Sequence, residues 1–168
     1  MIDTTLCYIV RGDQVLMLHR VKKKNDLNHD KWIGVGGKFR PGETPDQCLL
    51  REVREETGLT LTKYSLRGVI RFESDQWEAE DMYLYLGEEF TGDLIECNEG
   101  DLMWVSRDFV SRLPAWEGDK LFLDKLWRGD PFFRMHLRYR GDTLVYAAVD
   151  GRTLGVDVRL GTGFAALG

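Results

Sequence analysis

Runs of apolar and β-branched residues alternate with short polar or glycine-containing segments over most of the chain. Residues 4–10 and 14–19 form two such runs around Arg11, Gly12 and Asp13, which predicts a β-hairpin. Alternation and turn residues predict further strands at residues 65–73, 81–86 and 102–105, and a second hairpin at residues 132–139 and 143–149.

A helix is predicted at residues 45–57, because both of its ends carry clear signals. Thr44 is placed as the N-cap, Pro45 occupies the first turn, and Gln47 completes a capping box. Gly58 follows where a left-handed C-terminal cap is expected. The inward stripe of this helix consists of Leu49, Leu50 and Val53.

The length of 168 residues fits one domain with a substantial hydrophobic core. Residues 109–113 and 119–127 also have helical spacing. We assign residues 1–150 to the domain. Residues 151–168 are rich in glycine, and we expect a mobile tail or one extra strand there, without an assigned function.

Charge and cysteine content restrict the class of protein. A net charge of -5 disfavours broad contact with nucleic-acid phosphates, which requires a basic face. The first apolar run is too short for a signal peptide or a membrane span. The odd cysteine count and the absence of a CxxC pattern favour a reducing compartment, so we expect a cytoplasmic protein. The histidines lack zinc-ligand spacing: His19, His29 and His136.

Three glutamates of the predicted helix share one face. At 100° per residue, Glu52 and Glu56 lie about 40° apart, and Glu55 lies about 60° to the other side of Glu52. Like charges at this spacing repel each other unless a cation neutralises them, and Mg²⁺ prefers oxygen ligands. The alternative is a solvated acidic face, which is the usual meaning of charged residues on a helix.

The surrounding stretch, GKFRPGETPDQCLLREVREETGL, resembles the signature of the Nudix hydrolase family. That signature is Gly, five residues, Glu, seven residues, Arg-Glu, a bulky apolar residue, any residue, Glu-Glu, any residue, Gly and a bulky apolar residue. Every position is matched: Gly37, Glu43, Arg51, Glu52, Val53, Glu55, Glu56, Gly58 and Leu59. The resemblance implies an α/β fold, a Nudix α/β/α sandwich with a mixed β-sheet.

The resemblance also implies a metal site. Glu52, Glu55 and Glu56 would bind Mg²⁺, with Mn²⁺ as a possible substitute, together with the backbone carbonyl of Gly37. Glu52 or Glu55 would orient or deprotonate the attacking water, and both alternatives stay open. Arg51 would hold a carboxylate in its working rotamer, or form an ordinary surface ion pair. Glu99, in a late acidic loop, would add a metal or base contact.

A second part of the resemblance concerns the substrate. The WxGxGGK segment and the late Trp and acidic segments look like the MutT-type branch, which removes oxidised purine nucleoside triphosphates. Lys38 and Lys23 are candidate phosphate ligands, although the lysine run containing Lys23 also suits plain solvation. Trp116 and Asp119 resemble a stacking Trp and a purine-reading Asp. The alternative is a loop-anchoring Trp and a helix-capping Asp.

One position departs from this branch. Ile33 stands where related enzymes carry an Asn, and its apolar side chain cannot hydrogen-bond a base edge. The implied activity is Mg²⁺-dependent hydrolysis of an oxidised purine (deoxy)nucleoside triphosphate to the monophosphate and pyrophosphate. ADP-ribose, dinucleoside polyphosphates and dinucleotide cofactors are alternative substrates. A nucleotide-sensing module without turnover is an alternative of another class, and the intact glutamates disfavour it.

Overall fold

The computed structural model describes residues 1–157 and 163–166. The strands are β1 (Ile2–Arg11), β2 (Gln14–His19), β3 (Trp32–Ile33), β4 (Thr60–Ser74), β5 (Glu80–Thr91), β6 (Asp101–Ser106), β7 (Phe133–Arg140), β8 (Thr143–Val149), β9 (Arg152–Asp157) and β10 (Gly163–Ala166). The helices are α1 (Pro45–Thr57), α2 (Asp119–Arg128) and a 3₁₀ helix at Arg107–Arg112.

The chain divides into two compact units, each named here after its α-helix. The α1 unit consists of Thr4–Leu66 and Tyr85–Ala115. The α2 unit consists of Met1–Asp3, Arg67–Leu84 and the described residues from Trp116 onward. Strands β4 and β5 are long enough to contribute residues to both units.

In the α1 unit, the strands follow the order β5-β1-β2-β3, and β6 also pairs with β2. The predicted first hairpin is present, with Ile9 opposite Leu16 in an antiparallel ladder. β6 pairs antiparallel with β2, which aligns His19 with Asp101. This pairing brings the loop before β6 to the end of β2. The buried residues of β1 and β2 include Cys7, Tyr8, Ile9, Val15, Leu16, Met17 and Leu18.

Helix α1 has the predicted bounds and the predicted caps. The Thr44 hydroxyl accepts a hydrogen bond from the Gln47 backbone N–H at 3.2 Å, and the Gln47 side chain accepts from the Thr44 N–H at 3.0 Å. Gly58 ends the helix in the left-handed conformation, with φ of 82°. The Tyr85 hydroxyl on β5 donates to Asp46 at 2.5 Å and fixes the first turn to the sheet.

In the α2 unit, the strands follow the order β10-β9-β8-β7-β4-β5. β7 pairs parallel with β4, whereas its other neighbour β8 is antiparallel, so the sheet is mixed. β7 alternates between buried and outward-facing residues, as a half-buried strand requires. Its buried residues are Phe133, Met135, Leu137 and Tyr139, and the buried apolar residues of α2 are Phe122, Leu123 and Leu126.

The predicted α/β class with a mixed sheet is confirmed, but several predicted bounds were wrong. β4 and β5 extend beyond residues 65–73 and 81–86, because backbone pairing continues past the apolar positions that marked them. The predicted helix at residues 109–113 is the 3₁₀ helix at Arg107–Arg112. Residues 152–157 and 163–166 of the glycine-rich segment are strands, and residues 158–162 and 167–168 lie outside the described residues. No helix in the described part of the chain could cross a membrane.

Candidate active site

The three glutamates of α1 lie on one helix face at increasing depth. Glu55 is the most accessible, with 47% of its side chain exposed, whereas the Glu52 side chain is 15% exposed. Glu56 is buried, with 7% exposure. Burial raises the pKa of Glu52, and the charges of Glu55 and Glu99 act in the same direction. The face therefore combines an accessible carboxylate with two that are partly or largely removed from water.

Arg51 connects three carboxylates. Its Nη1 donates to Glu52 Oε1 at 2.7 Å and to Glu55 Oε2 at 3.2 Å. Its Nε and Nη2 donate to the two oxygens of Glu43 at 2.6 and 2.8 Å, and Nη2 also donates to the Lys38 carbonyl at 3.1 Å. A planar guanidinium suits such a fork geometry. The hydrogen bonds from Arg51 to Glu43, followed by the bond from the Arg40 backbone N–H, lower the pKa of Glu43 to about 2.

The glycine loop before α1 lies directly against the carboxylates. The Gly36 N–H donates to Glu56 Oε2 at 3.1 Å. A Cβ atom at residue 37 would lie 2.6–2.8 Å from the carboxyl atoms of Glu52, so Gly37 allows this close approach. The Gly37 carbonyl accepts a hydrogen bond from the Thr5 N–H at 2.9 Å. Lys38 follows with an exposed side chain.

Glu99 reaches the same face from the loop before β6. Burial raises the pKa of Glu56 to about 9, and the charge of Glu99 and a hydrogen bond to it act in the same direction. Glu99 Oε2 accepts a hydrogen bond from Arg20 Nη1 at 2.8 Å. Lys23 Nζ lies 3.9 Å from Glu99 Oε1. The structure thus brings Glu99 and Lys23 together with the glutamates of α1.

The residues of this face fit a hard divalent cation in donor type. All their side-chain donors are carboxylate oxygens, which Mg²⁺ and Mn²⁺ prefer, and a cation would relieve their mutual repulsion. Among the residues that the structure describes, no three His, Cys, Asp or Glu side chains are already arranged to hold a metal ion. Arg51 and Arg20 engage oxygens of Glu52, Glu55 and Glu99. Both oxygens of Glu55 accept hydrogen bonds from arginines, Oε1 from Arg40 and Oε2 from Arg51, so metal binding at Glu55 requires one of these contacts to open.

The two predicted base-binding residues belong to the α2 unit. Trp116 is buried, with 5% exposure, and packs edge-on against Phe72 at 5.2 Å and Tyr139 at 4.8 Å between ring centroids. Asp119 is 7% exposed and begins α2. The N-cap of α2 is Gly118, without a side-chain cap bond, so Asp119 is not in the capping position. The roles of Trp116 and Asp119 in base recognition stay predictions.

Sequence reasoning missed three residues that hold the site together. Arg20, Asp26 and Arg40 make ion pairs there, and Arg40 Nη2 donates to Glu55 Oε1 at 3.1 Å. The only available signal for Arg20 was a charged residue directly after the apolar strand β2. Ile33, which stands where related enzymes carry an Asn, lies on β3 opposite Leu18 of β2.

Comparison with known families gives the class of protein. A model of the NUDIX domain matches residues 2–126. The chain therefore belongs to the Nudix family, and it is a Nudix hydrolase of the MutT-like type. Its matched segment contains α1, the glycine loop and Glu99, which together form the carboxylate face.

Individual relatives support the assignment. The uncharacterised Nudix hydrolase YvcI of Bacillus subtilis is 31% identical over 130 residues, which cover 74% of this chain and 78% of the relative. An oxidized purine nucleoside triphosphate hydrolase of Danio rerio is 28% identical over 142 residues, covering 84% and 88%. A crystal structure of the mutator MutT protein from Bacillus halodurans has a TM-score of 0.79 and 28% identity, covering 89% and 98%.

Proposed function

We propose that this Nudix hydrolase cleaves oxidised purine (deoxy)nucleoside triphosphates, such as 8-oxo-dGTP, to the monophosphate and pyrophosphate in a Mg²⁺-dependent reaction. The observation that carries the proposal is the carboxylate face of Glu52, Glu55, Glu56 and Glu99, held in position by Arg51 and Arg20. Such an enzyme would remove damaged precursors from the nucleotide pool and so serve DNA repair.

The carboxylates would act as metal ligands together with the carbonyl of Gly37. A bound Mg²⁺ would neutralise charge on the phosphate oxygens and lower the pKa of a water molecule. Glu52 or Glu55 would orient or deprotonate that water, and Glu55 is the more accessible of the two. Arg51 would fix the rotamers of both, since its Nη1 donates to each.

Two lysines would bind phosphate oxygens as point charges. Lys23 supports this role through its position 3.9 Å from Glu99. Lys38 supports it because it directly follows the glycine that packs on Glu52, and its side chain is exposed. Each would screen the negative charge that otherwise repels an attacking water.

The oxidised purine is supported by the relatives rather than by a pocket. Relatives from Danio rerio and Mus musculus carry the name oxidized purine nucleoside triphosphate hydrolase. Trp116 and Asp119 would recognise the base, which requires the buried Trp116 ring to become accessible to the nucleotide. Ile33 removes one potential hydrogen bond to the base, so we expect a broader purine specificity than in enzymes with Asn there.

We place the enzyme in the cytoplasm, with a small nucleotide as its partner and without stable binding to nucleic acid or membranes. Cys7, Cys48 and Cys97 are buried free thiols, which suits a reducing compartment. The net charge of -5 leaves no excess of positive charge for nucleic-acid backbones.

A substrate panel tests the proposal. kcat/KM is measured with Mg²⁺ for 8-oxo-dGTP, 2-hydroxy-dATP, dGTP, ADP-ribose and a dinucleoside polyphosphate. We expect the oxidised triphosphates to have the highest values and to release pyrophosphate. A higher kcat/KM for ADP-ribose would reject the proposed substrate but not the hydrolase activity. Binding without turnover of any compound would indicate the nucleotide-sensing alternative.

A further inference from the structure

Arg20 is the first residue of the loop between β2 and β3. It directly follows β2, and its backbone N–H and carbonyl both form hydrogen bonds with residues at the far end of the loop. The Arg20 N–H donates to the Lys31 carbonyl at 3.0 Å, and the Arg20 carbonyl accepts from the Asp30 N–H at 2.7 Å. The backbone of Arg20 is therefore fixed independently of its side chain.

The Arg20 side chain joins two carboxylates. Nε donates to Asp26 Oδ2 at 2.7 Å, and Nη1 donates to Glu99 Oε2 at 2.8 Å. Only 10% of the Arg20 side chain and 5% of the Asp26 side chain are exposed. The other oxygen of Asp26 accepts from the Asn28 N–H at 3.2 Å, so Asp26 is held by its own loop. Asp26 thus fixes the guanidinium, and the guanidinium in turn fixes Glu99.

The backbone at Glu99 and Gly100 also packs closely against the end of β2 and the residues that follow it. A Cβ atom at residue 100 would collide with the His19 carbonyl and lie 3.1 Å from the Arg20 Cα, so only glycine permits this approach. The Lys22 N–H also donates to the Glu99 carbonyl at 3.2 Å. The loop that carries Glu99 is therefore packed directly on the residue that binds its carboxylate.

We infer that Arg20 is a positioning residue, which, anchored by Asp26, orients Glu99 beside Glu56 for cation binding. The inference rests on the proposed function, in which Glu99 is a metal ligand. Arg20 engages Oε2 of Glu99, and Oε1, which lies 3.9 Å from Lys23 Nζ, is the oxygen that would bind a cation. Burial by itself would lower the pKa of Arg20. The hydrogen bond to Asp26 and the negative charge of Glu99 have the larger combined effect, so the pKa of Arg20 is raised.

Lysine cannot replace arginine in this role. An ammonium group on a flexible stem is a single point charge, whereas the guanidinium offers separate N–H groups to each carboxylate in a fixed plane. Arg20→Lys therefore keeps the charge next to the buried Asp26 but loses the simultaneous contact with Glu99. A matched control is Arg11→Lys, because Arg11 is an exposed arginine that hydrogen-bonds Gln14 at the end of β1.

The test is a double-mutant cycle read by Mn²⁺ binding, which electron paramagnetic resonance measures from the loss of the free-ion signal. We expect Arg20→Lys to weaken Mn²⁺ binding about 10- to 100-fold, the usual effect of removing a residue that orients a ligand. In the Glu99→Gln background, the same change should weaken binding by no more than about twofold. Arg11→Lys should leave binding unchanged in both backgrounds.

Two results would overturn the inference. One is Mn²⁺ binding by Arg20→Lys within about twofold of the wild type, and the other is an equal loss with and without Glu99→Gln. If Arg20→Lys does not fold, Asp26→Asn takes its place in the cycle, because it releases the guanidinium without changing side-chain size. Since the readout is metal binding, it decides the inference even if no tested nucleotide is hydrolysed, which the substrate panel reports separately.

Discussion

The carboxylate face in the α1 unit and the aromatic cluster around Trp116 in the α2 unit are organised by different forces. Ion pairs hold the first, with Arg51 alone donating to Glu43, Glu52 and Glu55. Edge-on ring packing dominates the second, in which Trp116 contacts Phe72 and Tyr139. A charged site can rearrange around a cation with little change in packing, whereas a buried ring cannot move without disturbing its neighbours.

The largest expected effect is the loss of turnover when a residue of the carboxylate face is changed. Glu55→Gln should reduce kcat about 10⁴-fold, because it removes a metal or base oxygen that a neutral amide cannot replace. Its side chain is 47% exposed, so the thermal unfolding temperature should change little. Pyrophosphate release under single-turnover conditions measures the effect. Glu89→Gln on β5 changes an exposed glutamate and serves as the control, and unchanged turnover in Glu55→Gln would exclude an essential role for Glu55.

Substitutions in the aromatic cluster around Trp116 should mainly change the stability of the protein. Trp116→Ala should lower the free energy of unfolding by about 3–5 kcal/mol, as expected when a large buried ring is truncated. Urea unfolding followed by circular dichroism measures this value. Trp116→Phe should retain most of the stability, because it preserves ring contacts. A loss below about 1 kcal/mol in Trp116→Ala would show that the ring does not carry the packing assigned to it.

Arg51→Lys keeps a positive charge on the carboxylate face but loses the planar guanidinium. We expect kcat to fall about 10- to 100-fold and the Mg²⁺ concentration at half-saturation to rise, because Glu52 and Glu55 lose a common donor. KM for the nucleotide should remain within about twofold. Steady-state kinetics over a range of Mg²⁺ concentrations provides the measurement, and an effect on KM alone would contradict a positioning role.

The smallest effect concerns pH and the buried Glu56. Its pKa is raised from 4.5 to about 9 in the metal-free protein, so folding opposes its ionisation. Metal-free protein should lose stability as pH rises from about 4.5 to about 9, and Glu56→Gln should lack this part of the decline. At pH 7 we expect the variant to be more stable by about 1–2 kcal/mol. Urea unfolding in EDTA across this pH range measures the free energy of unfolding of both proteins. An equal dependence of this free energy on pH in the wild type and Glu56→Gln would contradict the raised pKa.

The charged region was largely predictable from sequence, because its residues are concentrated in one helix and the loop before it. Helical spacing alone placed Glu52, Glu55 and Glu56 on one face, and local capping signals set the ends of α1. Arg20 and Asp26 could not be predicted in the same way. The contact of Arg20 with Glu99 joins positions 79 apart and depends on the pairing of β2 with β6.

The aromatic region was less predictable for the same physical reason. Trp116 was identified from its resemblance to a stacking residue, but its burial depends on Phe72 of β4 and Tyr139 of β7, which become neighbours only through the parallel pairing of those strands. Short-range patterns contain no information about that pairing. The bounds of β4 and β5 were underestimated for a related reason, since polar residues can continue a ladder.

Mn²⁺ titration in the presence of a non-hydrolysable 8-oxo-dGTP analogue is the most direct test of the metal site. We expect saturable binding to the wild type and at least about tenfold weaker binding to Glu52→Gln, Glu55→Gln and Glu56→Gln. Equal binding by the wild type and all three variants would contradict this prediction, because the acidic face of α1 would then have no part in holding the cation.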